Sequence, residues 1–500
     1  MRHHPIAIAL LVASGLAVGA CSSSNAGNGS RSAASRPIAL TGAKHDAAIM
    51  VDGVVDDWPL ESVMTGDDEH LYLRFLLEGQ PRTLQANDET VSIRLDLDDS
   101  TETGRVFSDP IESTTLGVDL EILLSPPGDD GQPQGGARLV AYDEDGEASP
   151  VGHADVGFHF APTFASTWFE ARLSRHMDGD VQLPDLSDEG EGAGMVVVMG
   201  PSGVAEAWSA PFRGEWPQRS RTQKLADVSI PPKPTGAVRV VCWNVYFTQP
   251  ATNPQPFARV LRSLDPDVVL LQEWDIDDST HIASWFNALL PRQDGWQALT
   301  GESWGVAVVT PHTLSPLGDN VLYLSEGDER AVNLVAAVVN TPSGRVAASS
   351  VHLKCCGGPD GPEEARRLAE ADAINATLAE QFEATPTDMR IVAGDLNLVG
   401  AVGPLDRLRT GLDADGSDLA VARTSRLGDA AMYTWRDEDS AFTPGRLDYA
   451  LVGDSEAELV QAFVLDVDQL TPNAVQAAGL RPGDTAASDH LPLVIDIRPR

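Results

Sequence analysis

The sequence predicts two folded domains, an all-β sandwich in residues 37–232 and an α+β domain in residues 237–500. The chain has 500 residues, more than one hydrophobic core usually supports. Short runs of alternating hydrophobicity fill the first range, whereas strand-like runs alternate with helical periodicity in the second. Between them, Ser229 to Gly236 is rich in proline and cannot continue a strand or a helix, so we place the boundary there.

The composition is typical of a globular protein with a strongly acidic surface. Its 74 acidic residues outnumber the 35 basic ones, which gives a formal net charge of −39, and 42 % of the residues are hydrophobic. No run of about 20 apolar residues follows the N-terminus, so no membrane-spanning helix is expected there. Such a surface repels polyanions unless a local basic groove or bound cations intervene.

The first residues have the pattern of an export signal. Arg2 precedes an apolar stretch from Ile6 to Val18, and small residues then lead to Cys21. This resembles a bacterial lipoprotein signal over residues 1–21, which implies a lipid anchor on Cys21 and a cell-envelope location. Residues 22–36 are rich in Ser, Gly, Asn and Ala and are typical of a flexible tether. If the host has two membranes, Ser22 after the cysteine favours the outer one, and the alternative to a lipoprotein signal is a plain secretory signal.

Three further cysteines, Cys242, Cys355 and Cys356, would remain in the exported protein. An odd number argues against a disulfide framework in an oxidising compartment. A bridge between the two neighbouring cysteines and a bridge from Cys242 to one of them both stay open. Zinc binding is disfavoured because no Cys-x2-Cys spacing occurs.

The N-terminal half predicts an antiparallel sandwich because short β-rich runs are punctuated by Gly, Pro and Asp. The predicted strands are Leu71–Leu77, Val91–Leu97, Val118–Leu124, Ala137–Tyr142, Trp168–Leu173 and Met195–Met199.

Four segments of this half, Ile49–Trp58, His70–Phe75, Arg94–Ser100 and Gly117–Ile122, together resemble family 9-type carbohydrate-binding modules and the related DOMON-like sandwiches. The resemblance implies polysaccharide binding by exposed aromatic rings, and in some cases structural Ca²⁺ held by carboxylates. We interpret Trp58 as core packing rather than as a sugar contact. The carboxylates of Asp96, Asp98 and Asp99 are interpreted as a solvated strand end in preference to a calcium site.

The C-terminal half predicts a two-layer β-sandwich flanked by helices. Its predicted strands are Val238–Val245, Asp267–Gln272, Gly305–Thr310, Ala331–Asn340, Val346–Leu353, Arg390–Ala393, Leu447–Val452 and Leu491–Ile497. Apolar residues at helical spacing predict helices around Phe257–Leu264, Ile282–Leu290 and Pro362–Phe382, the second with Ser279 as its cap.

Polar side chains follow the apolar runs where these strands end. They are Asn244, Glu273, His352, Asp395 with Asn397, Asp448, and Asp489 with His490. Asp395 and Asn397 would point the same way if the extended conformation continued through Leu396. Each residue also has an ordinary structural interpretation, such as a histidine satisfied within a sheet, a turn cap or a local ion pair. We favour a functional site, because the structural interpretations would all have to hold at once for residues that occur in this order.

The six ordered motifs resemble the endonuclease/exonuclease/phosphatase family, which includes DNase I. The resemblance implies a four-layer DNase I-like sandwich and a hydrolase of phosphate esters that needs Mg²⁺ or Mn²⁺. Glu273, Asn244 and Asp489 would hold the metal, hard oxygen ligands being suited to it. Asp395 would orient or deprotonate the attacking water, and Asn397 would position it. Asp448 would fix His490, which with His352 would contact phosphoryl oxygens.

The substrate is less well specified. Lys354 is the one lysine of residues 237–500, and with Arg330 it is a weaker candidate for phosphate contact. Tyr246 and Phe247 are interpreted as local packing, so a membrane-docking hairpin is not expected. An enzyme acting on extracellular nucleic acid is favoured, and lipid or sugar phosphates are alternatives. A carbohydrate-binding envelope protein with an inactive hydrolase-like domain is the other class, and no oligomeric state is predicted.

Overall fold

The computed structural model describes residues 40–41, 49–58, 63–67, 69–108, 115–175, 183, 191–199, 205–215, 228–275 and 278–500. All of them fall within one compact unit, Ser35–Arg500. The predicted lipoprotein signal, with Cys21, and the predicted tether lie outside the described residues. Within the described residues, every helix is too short or too polar to cross a membrane.

Among the described residues of the N-terminal half, the regular elements are strands apart from one short helical turn. They are β1 (Leu40–Thr41), β2 (Met64–Gly66), β3 (His70–Leu76), β4 (Thr90–Asp96), β5 (Arg105–Ser108), β6 (Thr115–Val118), β7 (Leu120–Leu124), β8 (Ala137–Tyr142), β9 (Ala148–Val151), β10 (His159–Ala161), β11 (Trp168–Ser174), β12 (Glu191–Met199) and β13 (Ala205–Glu215), with a 3-10 turn at Val55–Asp57. All six strands predicted from the sequence are present here.

Two antiparallel sheets of this half share a hydrophobic core. One has the order β10-β11-β3-β2 and the other the order β13-β12-β4-β7-β8-β9. Their inward-facing side chains, among them Leu73, Phe169 and Ile93, are buried in one cluster. The predicted strand Val118–Leu124 is divided at Asp119, a bend whose carboxylate accepts a hydrogen bond from the Leu97 amide while its backbone still bonds Leu95 and Tyr142.

The C-terminal half alternates strands and helices as predicted. Its elements are β14 (Val238–Phe247), α1 (Gln249–Thr252), α2 (Pro254–Leu264), β15 (Val268–Trp274), α3 (Ser279–Leu289), β16 (Gln297–Thr300), β17 (Ala307–Thr310), β18 (Thr313–Pro316), β19 (Asn333–Thr341), β20 (Gly344–His352), α4 (Pro362–Ala384), β21 (Met389–Asp395), α5 (Gly403–Arg409), β22 (Ala420–Ala422), β23 (Asp448–Val452), β24 (Ala457–Val464), α6 (Pro472–Ala477) and β25 (Leu493–Pro499), with 3-10 turns at Val467–Gln469 and Asp484–Ala487.

These elements form four layers, helix, sheet, sheet and helix. The order β1-β22-β23-β21-β20-β19-β18 makes one sheet, and β16-β17-β15-β14-β25-β24 makes the other. The apolar faces of the two sheets are buried against each other. On the outer faces, α2 and α3 cover the six-stranded sheet, while α4 and α5 cover the seven-stranded one. The predicted sandwich flanked by helices is therefore confirmed for this half.

One predicted helix cap is wrong. The carboxylate of Asp278, rather than Ser279, accepts the hydrogen bond from the Thr280 amide and caps α3. Aspartate caps as well as serine does, so composition alone did not discriminate between two adjacent residues. Trp58, in contrast, is 6 % exposed and its indole nitrogen donates to Glu170, which confirms its interpretation as a core residue.

Residues 423–447 connect β22 to β23 without a helix or strand of their own. The N-terminal half holds this connection at several points: Arg423 pairs with Asp52 at 3.0 Å, and the Thr443 amide donates to the Gln85 carboxamide at 2.6 Å. A connection of this length is usually mobile unless it is tied down. Here the first half of the chain fixes it in place.

A second connection is held in the same way. The Thr163 hydroxyl donates to the Leu398 carbonyl at 2.9 Å, and the Arg446 carbonyl lies 3.3 Å from it. The Ala165 amide donates to the Gly400 carbonyl at 2.7 Å. The residues that follow Asn397 and those that precede Asp448 therefore rest directly on the N-terminal half.

The firmest link between the halves is a buried ionic cluster. Asp429 is bonded both by Arg172 from β11 and by Arg426 from its own connection, and all three side chains are almost fully buried. Although burial alone would raise the pKa of Asp429, the two guanidinium groups hold it well below its usual range. Because the folded-state pKa is depressed, the pair stabilises the protein above the ordinary carboxyl pKa and stops doing so as the pH falls.

We expect Asp429→Ala to lower the free energy of unfolding by about 3–5 kcal/mol, because it leaves the buried Arg172 guanidinium without a counterion and leaves Arg426 with Asp466 alone. Urea titration at neutral pH measures the change. Asp372→Ala is the matched control, since Asp372 and Arg407 form an ion pair in which each side chain is about half exposed, and a loss below about 1 kcal/mol is expected there. Equal losses in the two variants would contradict this account of the interface.

Candidate active site

The strand ends that carry the predicted polar residues meet at one edge of the two sheets. Parallel strands β14 and β15 set Asn244 opposite Gln272, and parallel strands β20 and β21 set His352 opposite Asp395. Antiparallel β23 then sets Asp448 opposite Asp395. Parallel neighbours end on the same side of a sheet, so these residues are brought together by strand direction.

Asp395 lies at the centre of the group and is 1 % exposed. Its Oδ2 accepts a hydrogen bond from Asn244 Nδ2 at 3.1 Å, and its Oδ1 accepts one from the Asn397 backbone amide at 2.9 Å. The Nε2 atoms of His352 and His490 lie 3.6 Å and 3.7 Å from Oδ2. Three predicted side chains and the backbone amide of a fourth predicted residue therefore surround one carboxylate.

Glu273 forms the next part of the site. Its Oε1 lies 3.7 Å from His352 Nε2, and its side chain is 17 % exposed. Its backbone has a φ of 56°, a left-handed conformation that a residue with a long side chain rarely adopts. Gly305 makes the approach feasible, since a Cβ there would lie 3.1 Å from the Glu273 Cα. The strain occurs where β15 turns the carboxylate toward the site.

Asp448 and His490 form a directly bonded pair. Asp448 Oδ2 lies 2.8 Å from His490 Nδ1. The Thr434 hydroxyl accepts hydrogen bonds from the backbone amides of Leu447 and Asp448, and Trp243 Nε1 donates to the His490 carbonyl. Both members of the pair are therefore fixed through their backbones as well as through their side chains.

Asp489 and Arg330 stand at the rim. Asp489 Oδ2 accepts a hydrogen bond from Trp435 Nε1 at 2.9 Å, whereas its Oδ1 is buried without a hydrogen-bond partner in the protein. Its charge helps to raise the pKa of Glu273, so the two carboxylates are close. Arg330 is exposed, and its charge contributes to a lowered pKa at His352.

Asn397 reaches the site differently from the prediction. Strand β21 ends at Asp395, and Asn397 has a φ of 49°, so the extended conformation does not continue between them. The Asn397 side chain donates to the Leu353 carbonyl at 3.1 Å, while its backbone amide bonds Asp395. A left-handed turn, rather than strand alternation, brings the two residues together.

The pKa values of Asp395, His490 and His352 are shifted in different directions by their surroundings. Burial raises the pKa of Asp395 to about 8, with repulsion from Asp448 and Glu273 added to it. Burial works against the His490 imidazolium, yet the carboxylates of Asp448 and Asp395 outweigh it and raise that pKa to about 10. Burial lowers the pKa of His352 to about 4, with repulsion from His490 as the next cause. One histidine is thus cationic and the other neutral at neutral pH.

The sequence profile of the endonuclease/exonuclease/phosphatase family matches residues 241–490, half of the chain. This chain belongs to that family. Members of the family are phosphoester hydrolases, and the matched range contains all the polar motifs described above. A search of curated proteins finds no match to the sequence.

Solved structures with a similar fold include three family members or relatives. The 3′ phosphatase NExo from Neisseria, bound to a product DNA hairpin, is 17 % identical, with 52 % of this chain and 98 % of that chain covered and a TM-score of 0.34. The human Nocturnin catalytic domain is 18 % identical, with 54 % and 97 % covered and a TM-score of 0.34. A family protein from Bacteroides thetaiotaomicron is 16 % identical, with 52 % and 94 % covered and a TM-score of 0.36.

The side chains of this family member fit a divalent cation. Ligand atoms of Glu273, His352 and Asp395 all lie within 4.8 Å of one another. The orphaned Oδ1 of Asp489 is a buried oxygen with no hydrogen bond, which is a further potential ligand. Carboxylate and amide oxygens are the donors that Mg²⁺ and Mn²⁺ prefer. The identity of the ion, and the predicted ligand set with Asn244, stay predictions.

Two sets of supporting residues were missed from the sequence. The Gln272 carboxamide donates to the Ser350 hydroxyl, which donates to the Leu271 carbonyl, so a buried polar chain links the two sheets beside Glu273. Thr434 and Trp435, which hold Asp448 and Asp489, lie in the connection without regular structure. Gln272 could have been found from the sequence, because its amide interrupts an apolar run. Nothing in the local sequence marks Thr434.

Cys242, Cys355 and Cys356 are free thiols in the structure. Cys242 is buried between the two sheets, and its thiol donates to the Gln272 side-chain oxygen at 3.5 Å. The alternative of a disulfide bridge from Cys242 to Cys355 or Cys356 is therefore not realised. The sulfur atoms of Cys355 and Cys356 lie 2.8 Å apart, and Lys354 Nζ lies 3.3 Å from the first of them.

One member of the acidic group of the N-terminal half differs from its interpretation, whereas Asp98 is exposed as interpreted. Asp96 is 1 % exposed and accepts hydrogen bonds from the backbone amides of Ser100 and Gly117, so it is not a solvated strand end. Oxygen atoms of Asp96, Asp98 and Asp119 lie within 4.8 Å of one another. The predicted structural Ca²⁺ stays a prediction, as does polysaccharide binding by this half.

The interpretation of Tyr246 and Phe247 as local packing is wrong. Each side chain is 43 % exposed, and Trp304 beside them is 37 % exposed. Ring centroids of Phe247 lie 5.3 Å from Tyr246 and 5.5 Å from Trp304. Residues far apart in sequence thus build one exposed aromatic surface, which sequence adjacency alone does not reveal.

We expect Asp448→Asn to lower the pKa of His490 from about 10 toward the usual value of about 6.5, because the variant keeps the shape of the side chain and removes its charge. Titration of the imidazole by NMR in EDTA measures this pKa. Asp415→Asn, a change at an exposed residue outside the site, serves as the control. An unaltered His490 pKa in Asp448→Asn would refute the assignment of Asp448 as its main charge partner.

Proposed function

We propose that the chain is a phosphoesterase that needs a divalent metal and hydrolyses phosphodiester or phosphomonoester bonds by in-line attack of a water molecule. The observation that carries this proposal is the environment of Asp395. One buried carboxylate lies within 3.7 Å of two histidine Nε2 atoms and is hydrogen-bonded by two asparagines. Such a set can neutralise the charge of a phosphoryl group and move a proton at the same place.

Asp395 is assigned as the general base. Its pKa of about 8 is close to neutral pH, where a base both accepts a proton and remains partly ionised. Asn244 and the Asn397 amide donate to the two carboxylate oxygens and fix their direction. The carboxylate is therefore aimed before a substrate arrives, and no covalent intermediate is needed.

His490 and His352 are assigned to the phosphoryl oxygens. His490 carries a positive charge because Asp448 raises its pKa, so it can donate a hydrogen bond from Nε2 to a negatively charged oxygen. His352 is neutral and can donate from one nitrogen only. Asn397 and Arg330 are further contacts proposed for the substrate.

Glu273, Asn244 and Asp489 are proposed to hold Mg²⁺ or Mn²⁺. The bound ion would withdraw electron density from the phosphorus centre and stabilise the leaving oxygen. Burial raises the pKa of Glu273, and a nearby cation is the ordinary means by which such a carboxylate stays ionised. Its left-handed backbone keeps the carboxylate at the edge of the site.

Replacing the proposed metal ligand Glu273 or the proposed phosphate contact His490 should strongly reduce hydrolysis. We expect Glu273→Gln and His490→Ala to reduce kcat/KM for bis-p-nitrophenyl phosphate by roughly 10²–10⁴-fold, since each removes a charge from the transition state. The assay is run with Mg²⁺ and with EDTA, and EDTA should reduce the wild type to background.

Glu326→Gln is the control for that assay because Glu326 is exposed and lies outside the site. Thermal melting checks that each variant is folded. Wild-type rates in folded Glu273→Gln or His490→Ala would refute the assigned site. A wild type inactive on every phosphate ester would favour a carbohydrate-binding envelope protein instead.

We also propose that the protein is exported and anchored by a lipid on Cys21. The support is the sequence pattern of residues 1–21 followed by a Ser- and Gly-rich stretch. Cells that express the full chain should incorporate labelled palmitate into it, and Cys21→Ala should abolish the label and release the protein from the membrane fraction. Cys355→Ala is the control, and label that persists in Cys21→Ala would exclude this anchor.

A further inference from the structure

Three aromatic rings form an exposed surface beside Glu273. The rings belong to Tyr246, Phe247 and Trp304, which we call the aromatic platform. Phe247 lies between the other two, with interplanar angles of 57° to Tyr246 and 37° to Trp304. The three residues are 37–43 % exposed, so solvent or a ligand reaches each of them.

The platform adjoins the candidate site through the backbone. Phe247 is paired with Trp274 in the register of β14 and β15, one residue after Glu273. Adjacent strands lie about 4.8 Å apart and successive Cα atoms about 3.8 Å apart, so the backbones of Phe247 and Glu273 lie within roughly 9 Å. On the other side, the Trp274 amide donates to the carbonyl of Gly305, the neighbour of Trp304.

The platform is also held in a fixed arrangement. Tyr246 and Phe247 have φ angles of 53° and 59°, two consecutive left-handed residues with large side chains. The Tyr246 amide donates to Asn244 Oδ1 at 3.2 Å, and Trp304 Nε1 donates to Asp275 Oδ1 at 3.2 Å. Strained backbone persists only where the surroundings maintain it. The rings are therefore tied to the same segment that presents Asn244.

Charge decides what this surface can bind. The chain carries a net charge of −39, and Asp275 and Glu302 flank the platform. This charge would repel the phosphate groups of anionic lipids and of nucleic acids alike, so a ligand here needs an attraction of another kind. Stacking of a base on an aromatic face adds affinity for a polyanion without basic residues, and only an unpaired base exposes its face.

We propose that the aromatic platform stacks an unpaired nucleobase next to the scissile phosphate, which makes single-stranded nucleic acid the substrate class. This inference rests on the proposed phosphoesterase function. The planar base would lie on Phe247 and Trp304, and the backbone phosphate attached to it would reach Glu273 and His490. Duplexes, whose bases are stacked on each other, would be poorer substrates.

The test compares a single-stranded oligothymidine with a chain of abasic residues of the same length. Phe247→Leu and Trp304→Leu keep apolar bulk and remove the aromatic face, and Trp304→Phe restores a ring. For oligothymidine we expect KM to rise about 10-fold or more in the Leu variants, with kcat changed less than about 3-fold. The abasic chain should be unaffected, and Trp304→Phe should recover most of the affinity.

Trp168→Leu is the matched control because Trp168 is 39 % exposed and lies in a sheet of the N-terminal half. Thermal melting excludes misfolding. An unchanged KM for oligothymidine in both Leu variants would overturn the proposal. So would binding of the wild type to phosphatidylcholine and phosphatidylglycerol vesicles that is lost in Phe247→Leu, which would mark the platform as a membrane contact.

Binding measured without catalysis separates this inference from the proposed function. Fluorescence anisotropy of labelled oligothymidine in EDTA reports affinity alone. Affinity that falls about 10-fold in the Leu variants while the wild type cleaves nothing would support the platform and refute the phosphoesterase. If the wild type cleaves the substrate and the Leu variants show no change in affinity or KM, the phosphoesterase is supported and the platform is refuted.

Discussion

A carboxylate kept out of water at Asp395 sets the conditions that the rest of the site must meet. A buried charge is strongly unfavourable unless hydrogen bonds and opposite charge compensate for it. Here Asn244 and the Asn397 amide donate hydrogen bonds to it, the cationic His490 lies 3.7 Å away and the neutral His352 lies 3.6 Å away. These residues come from separate strands or from the segments directly beside them. The two sheets must therefore hold a fixed register. The apolar core between them and the buried Gln272–Ser350 link maintain it.

The N-terminal half contributes to the same constraint from outside the matched family region. It fixes residues 423–447, the irregular connection that supplies Thr434 to Asp448 and Trp435 to Asp489. The contacts from Asp52, Gln85 and Arg172 add to the bonds that hold those two residues within the second half, where Trp435 pairs with Gly445 and with His490. The physical consequence is that the first half of the chain supports the polar edge of the second, whatever ligand of its own it binds.

The sequence was sufficient for the elements with regular periodicity. Strands such as Val268–Trp274 and the helix Pro362–Ala384 were found because alternation and helical spacing reflect burial directly. The polar residues at strand ends were also found, since an acid or histidine after a buried run is unusual. The features that the sequence did not predict depend on contacts between residues far apart in the chain. Arg423 and Asp52 are 371 positions apart, and the exposed surface around Phe247 includes Trp304, which is distant in sequence.

The central claim is that Glu273 and His490 act in one reaction centre, and a double-variant cycle on kcat/KM tests it most directly. Groups that act as a unit show strongly non-additive losses. We predict that combining Glu273→Gln with His490→Ala reduces kcat/KM for bis-p-nitrophenyl phosphate little further than the slower single variant does. A double variant whose loss equals the product of the two single losses would show that the residues act independently, and would contradict the account.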